Sequence, residues 1–72
     1  MPRIPTFKPK EVIKILEKAG FKFVRQKGSH RIYLKNNRAV TVPYHNKDIR
    51  KGTLGAVIKQ SGLTLEEFLN LI

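Results

Sequence analysis

Two turn signals interrupt one stretch of β-forming residues, and this pattern limits the fold more than any other feature of the chain. Phe21 to Gln26 carries aromatic and β-branched residues and reads as a strand. Lys27-Gly28-Ser29 is a turn. His30 to Lys35 then alternates, with Ile32 and Leu34 on one side and Arg31, Tyr33 and Lys35 on the other. Asn36-Asn37 suits a tight hairpin, because Asn tolerates left-handed backbone. Ala39 to Val42 forms a third strand and Pro43 ends it. Connections this short leave room only for an antiparallel meander, since parallel strands need long crossovers.

Helical patterns flank the meander. Pro9 fits a first helical turn, where its missing N–H costs nothing. Val12, Ile15, Leu16 and Ala19 follow at i, i+3, i+4, i+7, and Gly20 is a natural stop. Leu54, Val57, Ile58 and Ser61 repeat the spacing up to Gly62. Gly55 inside that pattern costs about 1 kcal/mol relative to Ala and blurs where the helix starts. Thr64 with Glu67 three residues on is a capping box. It opens a short third stripe of Leu65, Phe68, Leu69 and Ile72. The expected fold is α+β, in the order α-β-β-β-α with a short extra C-terminal helix. The main helices cover one face of a three-stranded antiparallel sheet. At fold level this is the layout of double-stranded-RNA-binding domains.

At 72 residues the chain reads as one domain, 1–72, too short for a doubly wound nucleotide binder or a barrel. It has no Cys, which excludes disulfides and thiolate metal sites. No apolar run approaches the roughly 20 residues of a membrane span, and Met1 to Pro5 lacks the apolar stretch of a signal peptide. A cytoplasmic protein with no membrane partner is the expectation. The formal net charge is +10, which points to a polyanionic partner. All 15 Lys and Arg and three of the five acids lie in residues 1–59, so that part carries +12 and the tail −2. The polyanion is therefore expected on the first four-fifths of the chain.

Several chemistries lack their residues. The glycines have the wrong spacing for a phosphate loop. Two His and five scattered acids form no metal-ligand motif, so neither a metal nor a cofactor is expected. Between the first two strands, Arg25, Lys27 and Arg31 surround Gly28, Ser29 and His30. Gly28 lets the backbone approach a ligand closely. The cations can bind phosphate, and His30 can move a proton near neutral pH. Cleavage of RNA needs a base for the 2′-OH, cations for the developing charge and an acid for the leaving oxygen. On composition alone a basic hairpin with a surface His is the favoured reading. His45, after Val42-Pro43-Tyr44, is either a second proton carrier or an ordinary loop residue. Arg25, Lys27, Arg31 and Lys35 are expected to bind RNA electrostatically, and Tyr33 and Tyr44 to stack on bases or pack in the sheet.

The blocks Leu16-Glu17-Lys18-Ala19-Gly20-Phe21, Arg25-Gln26-Lys27-Gly28-Ser29-His30, Val40-Thr41-Val42-Pro43-Tyr44-His45 and Lys51-Gly52-Thr53-Leu54 with Ile58 resemble the HicA toxins, also called YcfA-like proteins. The resemblance runs from about Lys8 to Ile72. It implies a small mRNA interferase of double-stranded-RNA-binding-like fold, neutralised by a HicB-like antitoxin. The family's catalytic His falls on His30, and its turn on Gly28 and Ser29; His45 matches a Pro-x-His pattern as possible support. Lys8 stands where the family has a small polar helix cap. Together with the charge, the resemblance implies an acidic antitoxin surface covering the His30 turn. Taking Ile32 and Leu34 as the core face, strict alternation puts His30 there too, so it must emerge at the sheet's end to meet RNA. The alternative is a non-catalytic RNA-binding module of the same fold. A helix-turn-helix DNA binder fails on charge, since the helix after Thr64 carries two Glu and no base.

Overall fold

The computed structural model describes residues 6–72; the N-terminal segment read above for a signal peptide lies outside them. The elements are α1 (Pro9–Lys18), β1 (Lys22–Lys27), β2 (His30–Lys35), β3 (Arg38–Pro43), α2 (Lys51–Ser61) and α3 (Leu65–Asn70). This is the expected α+β order, and no described helix is long and apolar enough to cross a membrane.

Helix α1 buries Pro9, Val12, Ile13, Ile15 and Leu16. Lys8 occupies its N-cap and contributes no side-chain cap. The Glu11 carboxylate instead accepts the Lys8 backbone N–H at 2.8 Å, which satisfies that end of the helix from inside the first turn. At the other end Gly20 takes φ 103°, and the Phe21 N–H reaches the Leu16 carbonyl at 2.9 Å.

The sheet has the order β1-β2-β3, antiparallel throughout. Each hairpin closes through two residues, and the first of each pair, Gly28 (φ 60°) and Asn36 (φ 53°), takes the left-handed backbone a tight turn needs. The ladder between β1 and β2 slips at Val24, between the pairs Phe23–Tyr33 and Arg25–Ile32.

The alternation of β2 is as expected, but the core face is the opposite one. Tyr33 is 1% exposed, whereas Leu34 is 44% exposed. The register explains this: Tyr33 pairs with Val40 and Arg31 with Val42, and both valines are fully buried under the helices. Lys35, on the same face at its far end, lies beside the Phe21 ring, and its ammonium donates to the Ala19 carbonyl at 2.6 Å. There the lysine stem covers apolar surface and its head satisfies the end of α1. His30, Ile32 and Leu34 share the uncovered face with Ala39, Thr41 and Pro43.

Helix α2 buries Leu54, Val57, Ile58 and Ser61, as the spacing predicts, and starts at Lys51 despite Gly55. It packs along β3, where Gln60 Oε1 accepts the Thr41 N–H at 3.0 Å. Helix α3 is held by its capping box. Thr64 N–H donates to Glu67 Oε1 at 2.8 Å, and Glu67 N–H donates to Thr64 Oγ1 at 3.1 Å. Phe68 is fully buried and meets Phe7 edge-on at 5.6 Å. Ile72 departs from the expected stripe: it lies past the last helical turn and is 67% exposed.

Candidate active-site cleft

His30 is the first residue of β2 and is exposed. The two-residue turn places it directly across from Lys27, and on its other side it pairs with Pro43. The chain after Pro43 is drawn toward the same turn, because Tyr44 N–H donates to the Ser29 carbonyl. His45, far from His30 in sequence, is thereby brought to the same end of the sheet. Both histidines line one cleft of about 690 Å³. Its floor is Thr41 and Pro43 of β3. One wall is the loop carrying Lys47, Asp48 and Arg50, and the other is Thr53, Ala56 and Gln60 of α2.

The predicted residues divide by face. Lys27 lies opposite His30 and Arg25 opposite Ile32, so both cations stand on the open face with the histidine. Gly28 and Ser29 form the turn itself, and no atom stands within 4 Å of the position a Gly28 side chain would occupy. Arg31 points to the other face. Its guanidinium lies 3.7 Å over the Tyr44 ring, and its Nε donates to Gln26 Oε1 at 3.0 Å. Gln26 in turn donates to the Gly28 carbonyl at 3.0 Å. Arg31 thus braces the turn that carries His30. Lys35 sits at the opposite end of β2, about 17 Å along the strand at roughly 3.4 Å per residue, and is occupied at α1. Tyr33 is a core residue whose ring packs edge-on against Phe23 at 5.7 Å. Stacking of Tyr33 on a base is ruled out by its burial.

Lys47 and Arg50 are the cleft cations the sequence reading passed over. The signal was present as three cations in five residues, Lys47 to Lys51, just after His45. Asp48 is the one acid lining the cleft, and its carboxylate lies 3.6 Å from the Lys8 ammonium on the exposed surface.

A family described as HicA toxin of bacterial toxin-antitoxin matches residues 9–63. The chain belongs to the HicA toxin family. The match spans α1, the whole sheet, the cleft and α2, and stops before α3. As a HicA toxin the chain is the toxin half of a toxin–antitoxin pair and pairs with an antitoxin. Comparison with curated proteins gives no match.

Proposed function

We propose that this HicA toxin is an endoribonuclease, an mRNA interferase, that cleaves single-stranded RNA in the cytoplasm with His30 as its proton carrier and without a metal ion. The observation that carries this reading is the exposed His30 at the mouth of a cleft that also holds Lys47 and Arg50. His30 takes the proton of a 2′-OH. The 2′-oxygen forms a bond to phosphorus, the bond to the 5′-oxygen breaks, and that oxygen leaves with a proton from water. The phosphorane gains negative charge as this happens, and Lys27, Lys47 and Arg50 stabilise it electrostatically. The antitoxin neutralises the toxin by laying an acidic surface over the His30 turn. Charge then mainly speeds association, and apolar contacts supply much of the affinity.

The test is cleavage of a short RNA by the purified chain in excess EDTA, beside a copy whose 2′-OH groups are replaced by hydrogen. Cleavage of the RNA alone is the expected result. RNA bound but never cut makes the chain a binding module. Activity lost in EDTA and restored by a divalent ion removes the metal-free step and keeps the nuclease.

A further inference from the structure

His45 has one side of its ring already engaged. The Lys47 backbone N–H donates to His45 Nδ1 at 3.2 Å. A backbone amide has only a proton to give, so Nδ1 must be the acceptor and the neutral ring carries its proton on Nε2. The bond spans two residues and fixes the ring to the loop between β3 and α2. That loop is itself tied to the His30 turn through Tyr44 and Ser29. A ring held this way presents an N–H donor at its free edge rather than a lone pair.

The surroundings suit an anion. Within the cleft, the groups around His45 that bear a charge or can exchange a proton are His30 from β2 and Lys47, Asp48 and Arg50 from its own loop; the α2 wall contributes Gly52, Thr53, Ala56 and Gln60, none of them charged. On its other side, His45 shares a hollow with Lys8 and Lys10 at the start of α1. Asp48 is the one acid among these groups, and it is drawn to Lys8.

We infer that His45 acts as a fixed hydrogen-bond donor, through Nε2–H, to a non-bridging oxygen of the scissile phosphate, and not as a second proton carrier. This rests on the ribonuclease reading above. A donor already oriented by its own loop needs no reorganisation when the phosphorane forms, which is the condition under which one hydrogen bond contributes most to rate. His30 is then the one side chain that transfers a proton in the reaction, and His45 is part of the site that receives the charge.

Two measurements test the assignment. Long-range proton–nitrogen NMR correlations on the free protein report which ring nitrogen of His45 is protonated. Nε2–H is expected, and Nδ1–H overturns the inference whatever the activity. Cleavage rates against pH are then compared for wild type, His45→Ala, His45→Gln and His30→Gln. His45→Ala should lose about 10²-fold in kcat with the shape of the profile unchanged. His45→Gln should recover most of that loss, because its amide N–H donates from a similar reach. His30→Gln should recover nothing, because an amide cannot shuttle a proton. Two outcomes overturn the donor role while leaving the nuclease intact: His45→Ala as active as wild type, or one limb of the profile lost in both His45 variants. A wild-type chain that does not cut RNA removes the ribonuclease reading and the inference with it.

Discussion

Tyr33 and Leu34 are neighbours on β2 with opposite fates. Tyr33 is buried in the core beside Val40, and Leu34 looks out from the open face. Alternation shows that Ile32 and Leu34 share a side, but not which side the helices cover. Both sides of β2 carry large apolar groups, and the cations on the Tyr33 side looked like solvent markers. In the fold those cations have other partners: Arg31 lies on Tyr44, and Lys35 reaches the end of α1. The assignment predicts unequal truncations. Tyr33→Ala should cost about 3–5 kcal/mol, comparable with the whole stability of a domain this size at about 4–10 kcal/mol. Leu34→Ala should cost about 1 kcal/mol or less. Urea unfolding of the two variants measures both, and equal losses would contradict the buried face described here.

The elements were the most legible level. The stripes of α1 and α2, the Gly20 stop, the Asn36-Asn37 turn and the Thr64 capping box all rest on local rules, and the chain obeys them; the first turn is one residue shorter than read, because Lys27 ends β1 opposite His30. The cleft was less legible, because it is made where a loop meets a sheet end. Residues 44–50 carry no periodicity, so nothing local says that Lys47, Arg50 and His45 stand beside His30. The capping box itself carries a pH signature. The Thr64 backbone N–H, and then its side chain, hold the Glu67 carboxylate below its ordinary value of 4.5. A carboxylate lowered in the folded state stabilises above its unfolded pKa, and that contribution is lost as pH falls through the folded value. Glu67→Gln should therefore be less stable than wild type at pH 6, with the gap narrowing as pH falls below the ordinary carboxylate value. A gap that is unchanged at pH 3 would show that the bond is not charge-assisted. Thr64→Ala should cost about 1 kcal/mol from the lost cap.

At the scale of the whole molecule, charge and fold point the same way. The net charge is +10, and the sheet face left bare by the helices carries Arg25 and Lys27 beside His30. Binding to single-stranded RNA should weaken steeply with salt. Arg25→Ala and Lys27→Ala should each lower the log–log slope by roughly 0.7. Lys35→Ala should leave it unchanged, because that side chain is engaged at α1 on the other face. Titrations at several salt concentrations check this, and a slope lowered by Lys35→Ala alone would move RNA to the helix side. The central claim is that His30 moves the proton in cleavage. Single-turnover cleavage of a short RNA by wild type and His30→Ala tests it most directly, with circular dichroism and RNA affinity as controls. The account predicts a variant that folds and binds RNA as wild type does and cleaves about 10²–10⁴-fold more slowly; a folded His30→Ala protein that cuts RNA at the wild-type rate would contradict it.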